Sequence, residues 1–113
     1  MFFEDHAIFD DDEVQIQSVA AGARIASALG DNHAAILRNH GLLTVGDSVS
    51  NAVGLFVYME RVAESHMKAR NPVPISAEAA RFAKQDLLKY GAGRLGFHSL
   101  VARHIPDPDV VES

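Results

Sequence analysis

The chain reads as a mixed α/β fold, and three features of the sequence predict it. Two short apolar runs flank the turn residues of "ILRNHGLLTVG" (36–46), segments with apolar residues recurring at intervals of three and four lie on either side of that stretch, and glycine or proline closes each segment. With 113 residues, 48% of them hydrophobic and 22% charged, the chain has the size and composition of one soluble domain around one core.

Each element follows from its own residues. "FFEDHAIF" (2–9) is aromatic and branched, and the acidic run Asp10 to Glu13 stops it, so a strand leading into a turn is expected. The same acids lie where a helix would begin and favour the positive end of its dipole. From Val14 to Leu29 the apolar residues Val19, Ala20, Ala23, Ala26 and Leu29 share one helical face, and Gly30 is placed to end the helix in a left-handed conformation. Ala34 to Leu37 and Leu42 to Val45, separated by Asn39, His40 and Gly41, predict a short antiparallel strand pair.

Gly46, Asp47 and Ser48 supply a break and an N-cap for a long helix from near Val49 to about Arg70. Its stripe is Val49, Val53, Phe56, Ala63 and Met67, and Pro72 and Pro74 stand beyond its end. Ser76 caps a third helix, with Phe82, Ala83, Leu87 and Tyr90 as its buried face, before Gly91 and Gly93 break it. A fourth, from about Leu95 to Ile105, carries Phe97, Val101 and Ile105, and Pro106 and Pro108 prevent its continuation. "DPDVVES" reads as a frayed tail.

Charge and composition exclude several functions. A net charge of -5, with no Lys/Arg stripe along any helix, leaves no surplus of cations for a phosphate backbone, so nucleic acid is not an expected partner. The absence of cysteine excludes disulfides, thiolate metal ligands and a cysteine nucleophile, and suits a reducing compartment. "MFFEDHAIFDDDE" lacks the basic and apolar regions of a secretory signal, and no stretch approaches the roughly 18 apolar residues of a membrane span. A cytoplasmic protein without membrane contact is the expectation.

His40 is the residue on which chemistry turns. An imidazole beside a glycine at a turn either bonds local backbone and faces water, or serves as a metal ligand whose direction two strands hold fixed. A catalytic zinc takes three protein ligands, and the usual signals for the others, H-x-H on a strand or H-E-x-x-H on a helix, are absent. His6, His33, His66, His98 and His104 stand singly. Glu60 falls on the stripe of the long helix, where a half-buried carboxylate needs a partner. Glu60 and Glu64, one turn apart, read as a solvated edge. Gly91 to Gly96 spells G-x-G-x-x-G, but after a helix instead of a strand, so a helix-to-helix turn is the better reading than a phosphate cradle. Ser27, Ser48 and Ser50 have no nucleophile-elbow context, and no P-loop occurs.

The run "LGDNHAAILRNHGLLTVGDSVSNAVGLFVYMERVAESHMKA" (29–69) resembles the class II aldolase and adducin head-domain family. The family's L-x-N-H-G, its following "LTVG" and its "LER"-like helical segment correspond to Leu37–Gly41, Leu43–Gly46 and Met59–Arg61, with weaker similarity upstream and downstream. The resemblance implies part of an α/β/α layered fold, rings of identical subunits, and a divalent metal, typically zinc. That metal polarises a carbonyl during aldol cleavage or epimerisation of small, often phosphorylated sugars.

It also implies that His40 is the third metal-binding histidine of such a site. The family's H-x-H pair, acid/base carboxylate and phosphate-binding residues precede the matching segment, and none is found here. Residues 1–113 therefore read as one truncated domain, the C-terminal half, and no catalytic residue can be assigned. Two functions follow: a metal-dependent lyase completed by a complementing N-terminal half, with this chain alone inactive, or a non-catalytic, self-associating module of adducin head type. A homo-oligomer is expected under the second, because a shortened sheet exposes an unpaired edge.

Overall fold

The computed structural model describes residues 1–11 and 16–111. In chain order the elements are β1 (His6–Phe9), α1 (Val19–Leu29), β2 (Ala34–Leu37), β3 (Gly41–Thr44), α2 (Val49–Lys68), α3 (Ala77–Lys89) and α4 (Ala92–His104). A 3-10 turn, Pro108–Val110, follows where a frayed tail was expected, because the Asp107 side chain accepts the Asp109 N–H at 3.2 Å.

The sheet has the order β1-β2-β3. β1 runs parallel to β2, with His6 opposite Ala34 and Phe9 opposite Leu37. β2 runs antiparallel to β3, with Ala34 opposite Thr44 and Leu37 opposite Gly41. Parallel neighbours need a long crossover, and α1 supplies it. Successive strand residues point to opposite faces. Ala34 belongs to a core with Phe2, Leu55 and Met59, on the α2 side. Its neighbour Ala35 is equally inaccessible, so the other face is covered too, by the α1 that packs on β1 and β2. The result is a three-layer α/β/α arrangement.

Side chains set the helix starts. Ser18 Oγ accepts the Ala21 N–H at 3.1 Å and begins α1. The expected start at Val14, like Asp12 and Glu13 of the acidic run, lies outside the described residues. Ser48 and Ser76 cap α2 and α3 in the same way, through the Asn51 and Ala79 N–H groups.

The buried faces differ from those the apolar spacing predicts. On α1 the inward residues are Ala21 and Leu29, while Val19 is 92% exposed and Ala20, Ala23 and Ala26 face outward. An alanine-rich segment has nearly equal small faces all round, so packing against the sheet selects the stripe. On α2 the inward residues are Ser50, Gly54, Leu55 and Met59, whereas Val49, Val53, Phe56 and Met67 are exposed. Apolar weighting overlooks Ser50 and Gly54, which are inside because they are small. Phe82 of α3 and Tyr90, which caps its end, are likewise exposed, and Ala80 is the buried residue.

That smallness sets the α2–α4 crossing. A Cβ on Gly54 would overlap the Gly93 carbonyl, so the two helices meet backbone to backbone. Gly91, with φ 64°, makes the left-handed junction between α3 and α4. Gly93, expected to break a helix, instead lies within α4 and is buried. Gly96 follows one turn later, where a Cβ would come within 2.9 Å of the Tyr58 ring.

The first residues are tied to α3. Arg81 forks onto Glu4, Nε to Oε2 at 3.1 Å and a terminal nitrogen to Oε1 at 2.7 Å. These hydrogen bonds hold the exposed Glu4 carboxyl below the ordinary glutamate range. No helix among the described residues is long and apolar enough to cross a membrane.

Candidate functional site

The hairpin turn is held by the backbone conformations on both sides of His40. The His40 N–H donates to the Leu37 carbonyl at 2.9 Å and closes the turn. Asn39 adopts φ 59°, a left-handed conformation that asparagine tolerates better than most residues. Gly41, with φ 155°, occupies a conformation that side chains rarely adopt. The Asn-His-Gly order is thus a backbone prescription: both neighbours of the histidine take conformations suited to their types, and His40 is held between them.

Two further contacts fix this turn to the sheet. The Arg38 N–H donates to the Phe9 carbonyl at 3.0 Å, extending the β1–β2 ladder beyond the strands, and the Arg38 guanidinium reaches Asp10 at 2.6 Å. At the open end of the hairpin the Val45 N–H donates to the His33 carbonyl at 2.9 Å, and Thr44 Oγ1 donates to the Ala52 carbonyl at 2.8 Å. The strands are thereby bound to the first turn of α2.

His40 is exposed, and no hydrogen bond or ion pair engages its ring among the described residues. It lies just past the carboxyl ends of the parallel strands β1 and β2. Ligands of open α/β sheets bind outside those ends. The imidazole is therefore presented, not packed.

The other histidines are not brought to it. His33 immediately precedes β2, at the opposite end of the hairpin, and its Nδ1 donates to Asp5 Oδ2 at 2.7 Å. Asp5 Oδ1 also accepts the His33 backbone N–H at 2.7 Å, and Lys84 Nζ approaches Oδ2 at 3.5 Å. With Asp5 only 4% exposed, this is a buried anchor at the amino ends of the strands. Sequence reasoning missed it, because residues 5 and 33 are joined only by the parallel pairing and carry no local pattern.

His6 Nδ1 engages the Phe2 carbonyl at 2.8 Å. His66 lines a concavity on the α2 face with Ile36, Met59 and Val62. His98 stacks edge-on to Phe97. Glu60 is exposed, which removes the expected need for a buried partner, and Glu64 pairs with Lys68. Among the described residues no three His, Asp or Glu side chains converge as a metal would require. One imidazole does not fit a complete metal site.

Comparison with known proteins adds four findings. The profile of the Class II Aldolase and Adducin N-terminal domain matches residues 1–67. The chain is 36% identical over 106 residues to the 4-hydroxy-3-prenylphenylpyruvate oxygenase/4-hydroxy-3-prenylbenzoate synthase of Streptomyces roseochromogenus subsp. oscitans, covering 91% of this chain and 37% of that protein. It is 34% identical over a 116-residue alignment to Decarboxylase NovR of Streptomyces niveus, covering 96% of this chain and 42% of that protein. The structure superposes on L-fuculose 1-phosphate aldolase from Glaciozyma antarctica PI12 with a TM-score of 0.73 at 31% identity, covering 87% of this chain and 37% of that one. The chain spans 37% and 42% of the length of the two Streptomyces relatives.

Proposed function

Since this chain belongs to the class II aldolase and adducin N-terminal domain family, we propose that it contributes one ligand, His40, to a divalent-metal lyase centre completed by residues outside these 113. The observation that supports this most directly is the turn itself: an exposed, unengaged imidazole held at the carboxyl ends of parallel strands. In this reading the chain alone is inactive, the metal is zinc or another divalent ion, and the protein is cytoplasmic.

The relatives bear on the reaction class. Aldol cleavage and decarboxylation each break a carbon–carbon bond and leave an electron pair on carbon, which a neighbouring carbonyl can accept. We assign the completed centre to that class, acting on a small sugar or another carbonyl compound. Because one donor does not make a metal site, no catalytic step is derived from this chain's residues.

Elemental analysis tests the reading. Protein purified without added metal should hold far less than one zinc per chain. Co-expression with a family segment that supplies an H-x-H pair should raise zinc toward one per complex, and His40→Ala should cancel that rise. Stoichiometric zinc and sugar cleavage by the isolated chain would refute the proposal, as would unchanged zinc in the His40→Ala complex.

A second reading, a non-catalytic self-associating module, draws on a separate observation. Val19 of α1, Val49 of α2, Phe82 of α3 and Leu95 of α4 are all more than 60% exposed. Scattered apolar residues are ordinary, but here every helix turns one outward, and both β1 and β3 leave an edge unpaired among the described residues. Light scattering of the purified chain should therefore give a mass above that of one 12.2 kDa chain. A monomer persisting at high concentration would dismiss the module.

A further inference from the structure

We propose that the groove between α2 and α4 binds a small oxyanion, a phosphate or carboxylate group, through Arg61 and Arg103. The groove has a volume of about 210 Å³, and Val57, Tyr58, Arg61, Leu95, Ser99 and Arg103 are among its lining residues. It shares no residue with the hairpin turn and does not depend on the metal reading.

The placement follows from the helix crossing. Arg61 is seven residues, two turns, beyond Gly54, and Arg103 is seven beyond Gly96. Gly54 meets Gly93, and Gly96 meets Tyr58, so the two helices run onward together from a backbone contact. Each arginine stands on the stripe of its own helix that contains a contact glycine, and both therefore open onto one concavity.

What sets the pair apart from Arg70 and Arg94, the other arginines unpaired among the described residues, is that both line one groove. The chain has 15 acidic and 10 basic residues, so carboxylates to pair with are in excess. Arg24, Arg38 and Arg81 each take one, from Asp11, Asp10 and Glu4 respectively. Among the described residues Arg61 and Arg103 take none, and the groove is lined by no Asp or Glu. Both guanidiniums stand at exposed positions on one concavity, open to an anion from solvent. The fork geometry of each suits two oxygens of a phosphate or carboxylate.

The remaining lining residues suit the same ligand. The Ser99 and Tyr58 hydroxyls can donate to further oxygens. Val57 and Leu100, both half-buried, form the apolar floor beside them. A drug-sized ligand needs roughly 300 Å³ or more. The groove is smaller, so the occupant is an oxyanion on few carbons.

Calorimetric titration of inorganic phosphate into the full chain, at ionic strength held constant with chloride, tests the proposal. Saturable binding near one per chain is expected. Arg61→Gln and Arg103→Gln should each weaken it about tenfold or more, the loss of a charge-assisted pair of hydrogen bonds. Arg70→Gln, which removes the same charge beyond the end of α2, should bind as the parent does. Arg61→Lys, which keeps the charge and loses the fork, should fall between and serves if the Gln variant does not fold.

Repeating the titration with acetate separates the two sources. Tighter phosphate assigns a phosphoryl ligand, and tighter acetate a carboxylate. Arg103 also stands in the last turn of α4, where a cation complements the helix dipole. If that is its whole role, Arg103→Gln would lower the melting temperature and leave phosphate affinity unchanged, which overturns the proposal. Failure to saturate, or equal losses in Arg70→Gln and the groove variants, overturns it as well.

Discussion

Gly54→Ala should destabilise the fold by about 3 kcal/mol or more, a large part of the stability of a small domain. The added methyl would overlap the Gly93 carbonyl, which is backbone and cannot rotate away. Either α2 and α4 separate along their whole contact, or one of them bends. Overpacking between flexible side chains costs less, because a rotamer change relieves it. The matched control is Gly22→Ala in α1, where nothing lies within 4 Å of a new Cβ. That change should be neutral or stabilising by up to about 1 kcal/mol, since alanine restricts the unfolded chain. Urea midpoints measured by circular dichroism, with unchanged slopes, distinguish the two. Equal midpoints for Gly54→Ala and the parent would mean that the helices do not meet there.

Asp5→Ala should cost somewhat less, about 2 kcal/mol. The carboxylate is nearly inaccessible and serves the His33 N–H, the His33 ring and Lys84 together. Removing it leaves the His33 N–H without its acceptor, while the His33 ring and Lys84, both partly exposed, can turn to water. Asp5→Asn keeps an oxygen for the His33 N–H and should lose markedly less. Thermal melts of the two variants at neutral pH provide the comparison. If alanine and asparagine behave alike, the carboxylate's charge and its second oxygen contribute nothing.

The antiparallel pair, the four helices and the serine caps of α2 and α3 were legible in the sequence, because each depends on neighbours within a few residues. β2 is found at Ala34–Leu37 as expected, and β3 one residue earlier than Leu42. The inward faces were not legible. On α1 the abundance of alanine left the pattern without contrast. On α2 the deciding property was the absence of a side chain at Gly54, which apolar periodicity does not register. The same applies to Gly93, a helix breaker by propensity and a contact surface by position.

The candidate site divides along the same line. The Asn-His-Gly turn around His40 is local and stands out in the sequence. The Asp5–His33 anchor arises only once β1 lies parallel to β2, and residues 28 apart become neighbours. The groove of Arg61 and Arg103 needs the α2–α4 crossing before the two positions share a surface. Neither arginine is distinguished by its own surroundings in the chain.

The crossing of α2 and α4 also bears on how this sequence can diverge. With Gly93 in place, any L side chain at Gly54 meets the same carbonyl, and a shift of α4 to admit one would also disturb Gly96 against Tyr58. Gly54 and Gly93 are the locked part of that joint, because the atoms a new side chain would meet include backbone, whereas Gly96 faces a tyrosine ring that can yield. Descendants of this sequence should change that joint in a concerted step or leave it untouched.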